Sequence, residues 1–192
     1  MKFSSKLFTV IFISLLSFTI ILSSCSDDED EDNKPATGIA DFNVALKSTN
    51  SKSTYDAIYI DIQKVSIHTS SDSAENSGWF ELETNMGIYD LLDYESGNDT
   101  IIAFDSLLQV QTVSQIRLIL GDNNTIIDDG VTYDLETPSA QTSGLKLQVH
   151  AKLEPDKSYK LLLNFDADNS INKTGNGKYK LKPVINTTLI EE

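Results

Sequence analysis

Ile58-Tyr59-Ile60-Asp61-Ile62-Gln63-Lys64-Val65-Ser66-Ile67 decides the fold class. Ile58, Ile60 and Ile62 alternate with Tyr59, Asp61 and Gln63, a period of two. That period puts one set of side chains on a buried face and the other towards water. The phase then slips, and Val65 and Ile67 resume the apolar face after Gln63-Lys64. One extra residue in a long strand predicts a β-bulge there.

The same period runs outward in both directions. Ala40, Phe42, Val44 and Leu46 alternate with Asp41, Asn43, Ala45 and Lys47. Downstream, Ile116, Leu118 and Leu120 share a face, with Arg117 opposite. Leu145, Leu147 and Val149 alternate with Lys146, Gln148 and His150, and Leu161, Leu163 and Phe165 follow. Thr100–Phe104 reads as a further strand. Thr125–Ile127 and Val131–Leu135 flank Asp128-Asp129-Gly130, and Asp-Gly between apolar runs predicts a tight hairpin. Lys178, Lys180 and Lys182 alternate with Tyr179 and Leu181, and this last strand is expected to run on through Val184-Ile185 to Leu189. Pro183 cannot donate to a ladder, which places that strand at an edge or gives it a bulge. Met86–Leu92 fits either one turn or a short strand. The expectation is an all-β sandwich, Ig-like or transthyretin-like, of about nine short strands with at most one short helical turn. One domain suits 192 residues.

The chain begins differently. Lys2 and Lys6 precede an apolar run from Leu7 to Leu22. Its 16 residues are short for a membrane-spanning helix, which needs about 20, and suit a signal peptide. The run ends in Leu22-Ser23-Ser24-Cys25, and small residues before a cysteine resemble the lipobox of bacterial lipoproteins. Cys25 is the chain's single cysteine, so no intrachain disulfide is available. The expectation is a signal peptide over 1–24, cleavage before Cys25 and lipid on its thiol, which ties the protein to a membrane. Ser26, Asp27, Asp28, Glu29 and Asp30 come next, within a run holding six of the 29 acids. Such a run is a solvated linker. It also resembles the export signal of Bacteroidetes surface lipoproteins, which implies display on the outside of the outer membrane. The lipidated acidic linker then covers 25–38, and the sandwich domain 39–192. The net charge of −14 disfavours nucleic acid as a partner.

Several stretches together resemble the domain-of-unknown-function family 4382 of bacterial lipoproteins. They are Tyr55–Ile60, Gly78-Trp79, Tyr89–Asp93, Gln115–Leu118, Thr137–Lys146, Leu163–Ile171 and Gly175–Val184. The resemblance implies a compact β-sandwich in an envelope setting and brings no reaction with it.

Residue chemistry points the same way. Asp166, Asp168 and Ser170 resemble the opening of a calcium loop. Ile171 and Gly177 stand where an EF-hand needs Gly and Glu, so only a different calcium site is open to them. Turn capping is the simpler use of such side chains. A calcium-dependent adhesin is an alternative reading, with calcium the one cofactor in view. Trp79, Arg117, Ser139, Ser143 and Lys146 form a possible ligand cluster, with Trp79 as a stacking platform for sugar rings. A tryptophan beside Phe80 on a short strand fits a core position equally. His68 and His150 read as surface residues. There is no G-x-S-x-G elbow, P-loop or H-E-x-x-H motif, and no enzyme is expected. Asp72-Ser73-Ala74, Asp99-Thr100-Ile101 and Asp105-Ser106-Leu107 resemble the O-glycosylation triplet of Bacteroidetes envelope proteins. The partners in view are the membrane, through the lipid, and a glycan or an outer-membrane protein.

Overall fold

A computed structural model describes residues 39–49, 53–70, 78–94, 97–108, 112–137 and 143–192. Cys25, Ser26, Asp27, Asp28, Glu29, Asp30, Ser139 and the triplet at Asp72 lie outside the described residues.

The chain forms an all-β sandwich of two sheets. The smaller sheet has the order β14-β11-β1-β6-β4 (Ile185–Glu191, Ser158–Phe165, Ala40–Ser48, Thr100–Leu108, Glu83–Thr84). The larger runs β10-β7-β2-β8-β9-β13-β12 (Leu145–Lys152, Thr112–Leu120, Ala57–Ser70, Thr125–Asp128, Val131–Glu136, Tyr179–Leu181, Ile171–Lys173). Two further strands, β3 (Gly78–Glu81) and β5 (Gly87–Asp90), pair with β2. Strand β2 is the spine of the larger sheet. Its Ile58, Ile60, Ile62, Val65 and Ile67 are fully buried with Phe42, Val44, Ile116, Leu118, Leu161 and Leu163. Burying a side chain of this size contributes about 1.5–3 kcal/mol, which makes this double layer the main source of stability.

The bulge read from the phase slip is present. Ile62 pairs with Leu120 and Lys64 with Ile119, which leaves Gln63 unpaired. The Asp-Gly hairpin is also present. Asp128 pairs with Val131, and Asp129 and Gly130 both have positive φ (51° and 74°), the conformation a two-residue hairpin turn requires.

Among the described residues fourteen strands stand where about nine were expected, because several segments change neighbours midway. Residues 78–90 pair with β2 at both ends and reach across to β6 at Glu83 and Thr84. The expected continuous strand from Lys178 to Leu189 is two strands. It breaks at Pro183, where no N–H is available, and β13 and β14 belong to different sheets. The edge position expected for this segment holds for β14. Met86–Leu92 supplies both alternatives, a short strand and then a 3₁₀ turn over Leu91–Tyr94. A second turn, Ala167–Ser170, adds to the one expected.

Candidate functional site

The outer face of the larger sheet follows from register. Ile67, Ile116 and Leu118 point into the core, so the intervening side chains point out. Across the strands, Glu81, Ser66, Arg117 and Lys146 form one row. Trp79, His68, Gln115 and Gln148 form the next. The Arg117 guanidinium carbon lies 3.8 Å from the centroid of the Trp79 ring. To reach it the side chain crosses β2, and the residue between them is the small Ser66. The stem of Arg117 runs over Gly144, where a β-carbon would lie 2.7 Å from the Arg117 Cγ. Gly144 has φ +72°, so glycine suits both the turn and the close approach.

His68 packs edge-on against Trp79, with the rings 5.2 Å apart at 76°. A register shift between His68 and Thr69 marks a second bulge, at Ser114. The Ser114 hydroxyl donates to the His68 carbonyl at 3.0 Å. It is therefore an acceptor for Nδ1–H of His68 at 2.9 Å.

Arg117 is the chain's one arginine and Trp79 its one tryptophan. Among the described residues Arg117 has no ion-pair partner, and its Nε is enclosed without a hydrogen bond. The nearest acid in its row, Glu81, is held by Lys64 at 2.8 Å. Lys146 stands exposed beside Arg117 with no acid bridged to it. Lys157, Lys160, Lys173, Lys178 and Lys180 are all paired with carboxylates.

A second aromatic cluster lies where β8, β9, β12 and β13 meet. The fully buried Tyr179 ring packs edge-on to Tyr55 at 6.2 Å and against Tyr133 at 5.0 Å. The Tyr179 hydroxyl donates to the Asp128 carboxylate, which also holds Lys173 at 2.7 Å. The Lys173 and Tyr179 hydrogen bonds hold the Asp128 carboxyl below the usual range. Burial, then Asp128, pushes the Tyr179 hydroxyl up. Every charge here has its counterpart.

Of the five residues read as a ligand cluster, the structure brings Trp79, Arg117 and Lys146 onto one face. Ser143 opens the turn into β10 ahead of Gly144. Trp79 is half-buried on the outer face and not in the core, while Phe80 at its side is 37% exposed. As a sugar platform Trp79 has one ring face taken by Arg117. Of the calcium-loop residues Asp166, Asp168 and Ser170, the first and last are engaged in local structure, while the Asp168 Oδ1 is enclosed. Asp166 caps the turn by accepting from the Asn169 backbone N–H at 3.2 Å and its side chain at 2.8 Å. Ser170 is buried and its hydroxyl accepts from the Val184 N–H at 2.8 Å. Among the described residues no three of His, Cys, Asp and Glu come together to hold a metal.

Asn123 and Asn124 tie the break between β7 and β8 to Asp61. Asn123 donates to the Asp61 carboxylate at 3.0 Å, and Asn124 accepts from the Asp61 N–H at 2.9 Å. Of the glycosylation-like triplets, Thr100 and Ser106 lie within β6. A cleft of about 250 Å³ lies beside Asp41, Asp105 and Glu192, where Glu192 pairs with Lys160 and Asp41 accepts from Ser158.

Sequence reasoning passed over His68 as a neighbour of Trp79 and Gly144 as the seat of Arg117. Only the pairing register joins those residues, and no local pattern carries it.

No curated protein and no solved structure matches the chain. A family model described as domain of unknown function (DUF4382) matches residues 40–183, which span both sheets, the Arg117 face and the Tyr179 cluster. The chain belongs to the DUF4382 family.

Proposed function

We propose that this protein is a non-catalytic binding module, held on the outer membrane by lipid on Cys25, facing outward, and taking its ligand on the Arg117–Trp79 face. One observation carries the binding reading. In a chain with 29 acids, its single arginine lies over its single tryptophan and, among the described residues, has no acid. Among the described residues six lysines find carboxylates, while Lys47, Lys146, Lys152 and Lys182 do not, so what sets Arg117 apart is its seat on Trp79 beside a second unpaired cation, Lys146. A fixed cation with vacant donors is a receptor for an anion brought from outside. The lipobox-like Leu22–Cys25 and the acids after it support the anchor and its outward address.

Two experiments test the reading. The full-length chain and its Arg117→Ala variant are compared on an array of envelope and extracellular polymers, glycans and peptides together. Signals present in the first and lost in the second are expected; identical arrays overturn the site. For the anchor, Cys25→Ser is expected to move the protein from the membrane fraction to the soluble one. External protease on intact cells is expected to remove the domain. A membrane-bound Cys25→Ser variant, or a protected domain, would count against the anchor or the address.

A further inference from the structure

The Arg117 face also restricts the chemistry of its ligand, an inference that rests on the binding-module reading. A guanidinium lying on an indole ring keeps its N–H groups in its own plane, directed sideways as a fork that fits a planar carboxylate. Lys146, paired with Arg117 across the ladder, adds a second cation, at a β-carbon separation of about 5 Å. The rest of the molecule is strongly acidic, at −14. Screening at physiological salt has a length of about 8 Å. A compact monoanion at the stack therefore feels chiefly Arg117 and Lys146. A polymer charged at every unit also meets the net negative charge of the rest of the molecule and is repelled.

Beyond the Lys64–Glu81 pair, the neighbours on this face are polar. Gln115 and Gln148 stand side by side in the adjacent row, each amide able to donate and accept. That chemistry suits hydroxyl groups. A peptide adding itself as a strand needs an open edge. Here β7 is paired on both sides, to β10 and to β2, so Arg117 meets a ligand through its side chain and not through an open β7 edge.

We propose that the Arg117–Trp79–Lys146 face binds an isolated acidic sugar, a uronate unit in an otherwise neutral glycan, with the carboxylate on Arg117 and hydroxyls on Gln115 and Gln148. The test is calorimetric titration of the full-length chain in detergent micelles. The probes are a neutral xylose oligomer carrying one glucuronate, and the same compound with its carboxylate reduced to the alcohol. The reduced compound is expected to bind at least about tenfold more weakly, since it loses a hydrogen-bonded charge. This comparison uses the wild-type chain alone and is independent of any variant's folding. Arg117→Lys keeps the charge but loses the flat fork, and a similar loss is expected. Lys182→Ala, an exposed cation off this face, is expected to bind as wild type does. Equal binding of the two compounds, no binding of the acidic one, or full binding by Arg117→Lys overturns the proposal. If polygalacturonate or polyglutamate binds instead, dependent on Arg117, the acidic-sugar assignment fails and the binding face stands. If no probe shows Arg117-dependent binding, here or on the array, both fail.

Discussion

Two places in the sandwich set a cation over an aromatic ring, and they treat its charge differently. Lys173 Nζ lies 5.1 Å from the Tyr179 ring centroid and 2.7 Å from the Asp128 carboxylate. Arg117 lies 3.8 Å from the Trp79 ring centroid with no acid beside it. The first cluster joins four strands around a fully buried ring, and charge, hydroxyl and ring are all satisfied within the chain. It is joinery. The second sits on an outer face, half-buried, with its guanidinium donors uncommitted. The difference teaches that a cation–aromatic contact is not itself a mark of function; the presence or absence of the acid separates the two.

The widest separation between the clusters should appear on deleting the rings. Tyr179→Ala removes a buried aromatic and leaves the Asp128–Lys173 pair without its third member. A loss of about 3–5 kcal/mol is expected in denaturant unfolding. Trp79→Ala should cost about 1 kcal/mol, the size of an exposed cation–π contact with some lost packing. Comparable losses at both rings would erase the distinction.

Gly144→Ala should come next. Its positive φ and the nearness of the Leu118 carbonyl, 2.9 Å from an added β-carbon, predict a cost of about 1–3 kcal/mol. The same β-carbon would push Arg117 off Trp79. Since Trp79 is the chain's one tryptophan, its fluorescence should change with the displacement. An unchanged spectrum would show that Gly144 does not seat the arginine.

Acid sharpens the contrast without removing a side chain. The Asp128 carboxyl titrates below the usual range, so its stabilisation is present above the ordinary aspartate value, near about 4. That stabilisation is lost as pH falls through the depressed value. The stability difference between wild type and Asp128→Asn is expected to be constant at neutral pH and to shrink in acid. Arg117→Ala should run parallel to wild type throughout, because no carboxylate depends on it. An acid dependence that Asp128→Asn leaves intact would remove Asp128 from the account.

The smallest effect is expected from Arg117→Ala on stability, within about 0.5 kcal/mol, as for an ordinary surface change. The lost contact with Trp79 is offset by release of an enclosed Nε that had no partner. A loss of several kcal/mol would make Arg117 a structural residue and undercut its role as a receptor.

Much of the fold was legible because strand signals are local. Side chains alternate along one strand, so Ile58 to Ile67 displays both its buried face and the slip at Gln63 with no knowledge of any partner. Asp129-Gly130 is equally local, since the turn needs two residues that accept positive φ. Strand ends were harder. Trp79-Phe80 read as a short strand and Met86–Leu92 as a turn or a strand, but nothing in them announces the excursion to β6 between two pairings with β2. Pro183 was read as an edge position or a bulge within one continuous strand. That the chain changes sheets there depends on where Ser170 and β11 already stand, since Val184 donates to the Ser170 hydroxyl and β14 pairs with β11.

The candidate site divides the same way. Trp79, Arg117 and Lys146 were visible as residue types able to bind, but the stack joins positions 38 residues apart through a third strand. The sequence by itself determined the alternation, the bulge, the hairpin and the surplus of acid, because each depends on neighbours in the chain or on a sum over it. Only the tertiary structure decided that Lys173 meets Asp128 and that Arg117 meets Trp79 and no acid. Those encounters are set by register and sheet order, which follow from burying the apolar faces of distant strands together and leave no imprint within any one of them.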